Sequence, residues 1–288
     1  MNERDTASSG TIVVGVDASQ EADDALTWAR TVAGPDDRIV VLHAWEIPMM
    51  TGYDMVVAVD VDEIEQLSKQ GLDELVERAD DPRLVPVTRR GHAGRALVAE
   101  GEEADLIVVG HRGSSRLSLM LGSTANYVVH HSAQPVVVVR GDRCDAPEYV
   151  VVGVDDFDDP ADSPSVRALQ WAYGLRGVER VDAVHAWFLP PLAVGMYHPA
   201  STDLTSMDDS ALRIAERVVE AAGEVPDGVT VRAEAARGTG GFALIEASRS
   251  ADLVVVGRRG RGGFSELVLG STSAETAAHS HAPVAIIQ

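Results

Sequence analysis

Residues Leu253 to Thr272 read LVVVGRRGRGGFSELVLGST. Leu253-Val254-Val255-Val256 is a short, β-branched, unbroken apolar run, as expected of a strand buried on both faces. It stops at Gly257, Gly260 follows after two residues, and Gly270-Ser271-Thr272 after nine more. From there the pattern turns helical to about His281. Glycine tolerates positive φ and lets backbones approach closely, and N–H groups at a helix start carry partial positive charge. Strand, glycine loop and Ser/Thr-led helix together make an arrangement suited to phosphate.

The arrangement occurs twice. Leu106 to Thr124 reads LIVVGHRGSSRLSLMLGST, with Gly110, Gly113 and Gly122-Ser123-Thr124 in matching roles. Ala-Asp precedes each copy, at Ala104-Asp105 and Ala251-Asp252. A short helix and a strand headed by proline follow each, at Pro135 to Val139 and Pro283 to Ile287.

The likeness extends outward. Thr11 to Asp17 is a buried strand ending in a carboxylate, and Val150 to Asp155 matches it. Ala25-Leu26-Thr27-Trp28-Ala29, in a helix that Ser19 is expected to cap, returns as Ala168-Leu169-Gln170-Trp171-Ala172. Leu42-His43-Ala44-Trp45 returns as Val184-His185-Ala186-Trp187. Asp62 is expected to cap a long helix carrying Ile64, Leu67, Leu72, Leu75 and Val76, and Pro86 in the strand Leu84 to Thr88 suits a sheet edge. Matching positions lie between 138 residues (Asp17 to Asp155) and 148 residues (Gly122 to Gly270) apart, far more than a solenoid repeat. Each half therefore reads as a whole α/β domain, five strands alternating with helices in a parallel, doubly wound sheet. The expected domains are residues 9–141 and 148–288, joined near Gly141 to Glu148.

Composition narrows the function. Hydrophobic residues make up 45% of the 288, enough for real cores, yet no apolar run approaches the roughly 20 residues that cross a bilayer. Met1 to Gly10 lacks the layout of a signal peptide and reads as a disordered lead-in, so a cytoplasmic location is expected. A formal charge of −21 argues against nucleic acid or an anionic membrane as partner. Cys144 is the only cysteine, which rules out an intrachain disulfide.

In an open parallel sheet, ligands bind beyond the carboxyl ends of the strands where strand order reverses. Asp17 and Asp155, Ala44 and Ala186, and both glycine loops all fall at that end, so one crevice per half is expected. Asp17 and Asp155 are either carboxylates at a helix start or ligands for magnesium or a nucleotide's polar groups. Arg112, Arg258, Arg259 and Arg261 either pair with phosphate or are solvated. His43 and His185 read as satisfied core histidines. His130-His131 and His279 to His281 lack the partners of a metal site. Met49, Met50, Met55, Met196 and Met207 suit either flaps over the crevices or a packing face.

These residues resemble a tandem universal stress protein over nearly the whole chain. The ATP-binding members carry Gly-x2-Gly-x9-Gly-Ser/Thr, which Gly257, Gly260, Gly270 and Ser271 fit in full. The resemblance implies Rossmann-like five-stranded sheets of order 3-2-1-4-5, adenine packed at Ala44 and Ala186, and ATP or another adenine nucleotide with magnesium as cofactor. It also implies that the domains pair through their last strands, within one chain or between two as a homodimer. Two departures predict unequal sites. Only eight residues separate Gly113 from Gly122, and Asp155 is followed by an acidic insertion, Asp156 to Asp162. Neither loop is followed by a Walker lysine, and no acid–base pair stands at catalytic spacing. The leading expectation is therefore a nucleotide-binding regulator in stress response. A slow ATPase or phosphotransferase, and an interaction scaffold that has lost nucleotide, are the alternatives.

Overall fold

A computed structural model describes residues 9–47, 60–113, 121–141, 144–189, 204–259 and 269–288. Met1 to Ser8, Met49, Met50, Met55, Met196, Gly260 and Arg261 lie outside the described residues. In the first half, β1 (Thr11–Val16), β2 (Arg38–Trp45), β3 (Leu84–Arg90), β4 (Leu106–Gly110) and β5 (Val136–Val139) alternate with four helices. These are α1 (Gln20–Val32), α2 (Val61–Ala79), α3 (Ala93–Gly101) and α4 (Ser123–His131). The second half repeats the order with β6 (Tyr149–Gly153), α5 (Pro164–Tyr173), β7 (Arg180–Trp187), α6 (Leu204–Ala222) and β8 (Thr230–Arg237). It continues through α7 (Gly240–Ala247), β9 (Leu253–Gly257), α8 (Ser271–His279) and β10 (Val284–Ile287).

The helices start where short polar side chains supply acceptors. Ser19 accepts from the Ala22 amide at α1, and Ser163 from the Val166 amide at α5. α2 begins two residues before the sequence suggests. Asp60 is its cap, its carboxylate accepting from the amides of Asp62 and Glu63, while Asp62 sits in the first turn beside the positive end of the helix dipole.

All ten strands form one sheet in the order β3-β2-β1-β4-β5-β10-β9-β6-β7-β8. Within each half every pairing is parallel and the order is 3-2-1-4-5. β5 and β10 join the halves antiparallel, with Val137 opposite Ala285. Those are the second residues of the two strands, so each faces its own counterpart, as a local two-fold axis requires. Pro86 lies on β3, an edge strand, where its missing N–H breaks no ladder.

A core covers each face of the sheet, and both run across the seam. One holds Val14, Trp28, Val137, Leu169 and Ala285 beneath α1, α2, α5 and α6. The other holds Val13, Leu97, Val138, Leu244 and Val284 beneath α3, α4, α7 and α8. Every residue of β5 and β10 is buried. Complete burial of a Val or Ile side chain contributes about 1.5–3 kcal/mol, so the seam is a core in its own right. Among the described residues no helix is long and apolar enough to cross a membrane.

Candidate functional site

Each half opens a crevice at the carboxyl ends of its central strands. In the first half Asp17 follows β1, Ala44 lies near the end of β2, Gly110 ends β4, and Gly113 leads into the loop. Gly122, Ser123 and Thr124 bring in the start of α4, and together these residues line a cavity of about 200 Å³. In the second half Asp155, Ala186, Gly257, Gly270, Ser271 and Thr272 line one of about 500 Å³. The structure thus brings the strand-end, glycine-loop and helix-start candidates of each half to one cavity, with Arg112 and Arg259 beside them; Arg258 lines neither cavity, and Gly260 and Arg261 lie outside the described residues.

The loops are built alike at their bases. The His111 amide donates to the Val139 carbonyl at 2.9 Å, and the Gly122 amide returns to the His111 carbonyl at 2.8 Å. Arg258 and Gly270 repeat this, with Arg258 N on the Ile287 carbonyl and Gly270 N on the Arg258 carbonyl at 2.9 Å. The one-residue difference in loop length is therefore contained between identical stitches. Gly122 and Gly270 cap α4 and α8 in extended conformation, and as glycines they offer no side chain to bond the first turn. A helix start left without a side-chain cap keeps donors available for an anion.

The glycines serve close approach rather than unusual torsions, since none of the described loop glycines has positive φ. A Cβ on Gly110 would stand 2.6 Å from the Glu21 carbonyl oxygen, and one on Gly257 would stand 2.6 Å from Pro164 Cβ. Both glycines let the strand end press on the first turn of the helix that follows the half's first strand.

The carboxylates differ between halves. Asp17 accepts from the Ser19 amide and hydroxyl, and its other oxygen lies against the place a Cβ on Gly113 would take, which sets the carboxylate beside the loop. Asp155 instead accepts from the Asp156 amide, while its own N–H donates to Ser165 Oγ at 2.8 Å. The acidic insertion turns away: Asp156 pairs with Arg217 of α6, whose guanidinium lies 4.5 Å from the Phe157 ring centre. Of the insertion, Asp156 to Asp162, no residue lines the cavity. Ser165 and Gly240 do line it, and the sequence reading missed both. Ser163-Pro164-Ser165 was the available signal, a capping serine and proline placing a second hydroxyl on the first turn.

Basic groups gather behind the loops. Arg112 and Arg259 line the cavities of their halves. Burial and the neighbouring Arg112 hold the Arg140 guanidinium down at about 10. Burial, then Arg140 and Arg112, push His111 below its ordinary value. Burial and Arg259 likewise lower Arg258. His43 and His185 donate from Nδ1 to the carbonyls of Val16 and Val154, at 3.0 and 2.9 Å, joining the second strand of each half to the first. His185 also lines the second cavity.

Comparison with known proteins agrees with this architecture. The pattern of the universal stress protein family matches residues 9–140 and again 148–288. A universal stress protein of Mycolicibacterium smegmatis is 31% identical over 292 residues, with 96% of each chain covered. One from Mycobacterium tuberculosis is 31% identical over 301 residues, covering 96% of this chain and 95% of its own. The crystal structure of a universal stress protein from Archaeoglobus fulgidus shares the fold, with a TM-score of 0.66 and 21% identity over 97% of this chain and 96% of that one. With two matches that together span nearly all of the chain, it belongs to the universal stress protein family.

Proposed function

We propose that the chain is a cytoplasmic stress-response regulator that binds adenine nucleotide, ATP with magnesium, with the second half as its principal site. The observation that carries this reading is the half-2 cavity. A carboxylate at Asp155, a small side chain at Ala186 and an uncapped helix start at Ser271 and Thr272 face one space of about 500 Å³. That volume lies within the roughly 300–1,000 Å³ usual for small-molecule sites, whereas the half-1 cavity of about 200 Å³ lies below it. The phosphates sit on the amides of Ser271 and Thr272, the base lies by Ala186, and Asp155 takes the ribose or the metal.

Magnesium suits this donor set as a passenger of the nucleotide. It usually takes one or two carboxylates beside phosphate oxygens and water. Each crevice offers a single strand-end carboxylate, and among the described residues no group of three metal-ligating side chains exists. Binding, rather than rapid turnover, is the function. The only lysine, Lys69, lies on α2 and not at either loop.

Native mass spectrometry of nucleotide-stripped protein with ATP and magnesium tests the reading. One tightly held nucleotide per chain is expected, and Ala186→Trp should remove it by filling the cavity. At about 100 times the dissociation constant the ligand should add roughly 2.7 kcal/mol of stability. A chain that takes up no nucleotide and melts at the same temperature with and without it would refute the proposal.

A further inference from the structure

The two helices that start at the crevices end at the seam, and each ends on an arginine from the other half. A helix leaves its last carbonyls without an internal partner. In α8 the Ala277 carbonyl is one of these, and Arg140 Nη1 donates to it at 2.7 Å from the first half. In α4 the His130 carbonyl is another. Arg258 Nη2 donates to it from the second half, and Arg258 Nη1 reaches the Ser132 carbonyl at 3.2 Å. The two arginines are not copies of one ancestral residue. Arg140 follows β5 directly, where Gln288 follows β10, and Arg258 follows β9 directly, where His111 follows β4. The halves make the same contact with residues at different places.

We propose that Arg140 and Arg258 are positioning residues, each holding from behind the helix whose start binds phosphate in the other half. This rests on the nucleotide reading above. α8 has nine residues, so it spans about 14 Å at 1.5 Å per residue. Ser271 and Thr272 at its start open on the half-2 cavity. A cation at the far end offsets the negative pole of the helix and fixes it along its axis. The place of the Ser271 and Thr272 amides relative to a phosphate follows from that. With its pKa at about 10, Arg140 remains charged at neutral pH.

Arg258 works in the opposite direction. Its carbonyl accepts from the Gly270 amide at 2.9 Å, so the half-2 loop is joined through one residue to the end of α4. The start of α4, Ser123 and Thr124, opens on the half-1 cavity. The half-2 loop is thereby in direct contact, through one residue, with the helix that opens on the other crevice.

Calorimetric titration of the full chain with ATP and with adenosine tests this, because only ATP reaches the helix start. Arg140→Gln places at the end of β5 the residue that already follows β10. It should weaken ATP threefold or more and leave adenosine unchanged, with Arg140→Lys regaining part of the loss. Equal weakening of both ligands would show a general loosening and overturn the proposal, as would no change in either. A wild-type chain that binds neither ligand sinks the nucleotide reading itself, and this inference with it. The reciprocal arm uses Arg258→Gln in a chain whose half-2 cavity is filled by Ala186→Trp. The same loss, confined to ATP, is expected at the half-1 site. An unchanged constant there, or no binding at that site, removes Arg258 from the proposal.

Discussion

His111 and Asp81 show how single groups tie stability to pH in opposite chemical settings. His111 is half-buried, its Nδ1 has no hydrogen-bond partner among the described residues, and burial, Arg140 and Arg112 hold its pKa below the usual 6.5. As pH falls, the unfolded chain therefore takes up the proton first, so stability is complete above about 6.5 and drains as pH drops toward the folded value. The melting temperature should fall between pH 7.5 and 5.5, and His111→Gln should flatten part of that fall in a pH series of melts. Asp81 is held well below the usual carboxylate range, chiefly by its hydrogen bonds from Arg83, against the opposing effect of burial, with Arg30 adding to the lowering. Its contribution is present above about pH 4 and is lost only in strong acid. Asp81→Asn should cost about 2 kcal/mol in urea unfolding, since it removes the charge that accepts from three side-chain donors of the half-buried Arg30 and Arg83. Much at this scale was legible in the sequence. Asp17 and Asp155 declare themselves because each follows an apolar strand, and Ala44 and Ala186 because they lie near the ends of theirs. The arginines did not, since whether Arg140 is solvated or caps a helix depends on what lies across a seam. A carboxylate next to a strand is placed by local pattern, whereas a long cationic side chain is placed by tertiary contact.

At the scale of elements, period and punctuation carried most of the reading. Strands appear as β-branched runs and helices as spaced apolar residues, and the start of α2 slipped by two because Asp60 and Asp62 are both plausible caps. The glycines were only half legible: their recurrence was plain, but their cause is contact between strand end and helix. Gly257 shows the consequence. Any Cβ there would meet Pro164 Cβ at 2.6 Å. Gly257→Val should therefore cost about 1–3 kcal/mol by overpacking, measurable as a lowered denaturant midpoint without ligand present. Loss of nucleotide in that variant would report packing as much as phosphate contact, so Thr272 is the better place to probe the loop. A second element-scale device recurs at the end of α1. Arg83 donates to the carbonyls of Ala33, Gly34 and Arg30, at 2.9, 3.2 and 3.2 Å. Arginine at a helix end is thus used within a half as well as between halves.

For the whole molecule, the seam matters more than either half. The sheet is continuous and both cores cross it, so the chain should unfold as one unit, with a single calorimetric transition whose van't Hoff and calorimetric enthalpies agree. Ala285→Asp would bury an unpaired charge opposite Val137. It should cost on the order of 3 kcal/mol or more and lower that one transition rather than split it. Two separated transitions in the wild-type chain would contradict this picture. Duplication was legible at this scale and strand order followed from the family resemblance, but the choice between pairing within a chain and between chains was not legible. Val136 to Val139 reads as a buried strand in either case, and nothing local says whose strand covers it.

In a dimer of identical chains, any contact across the axis is written twice, and a change that favours one crevice favours its twin. Here the axis is only approximate, and the residues around it have drifted: Gln288 where symmetry would repeat Arg140, and His111 where it would repeat Arg258. Fusion into one polypeptide removes the need for self-complementarity. Such a chain can carry a tight receptor and a weak one in fixed one-to-one ratio, a graded response that a self-associating single copy has no means to encode.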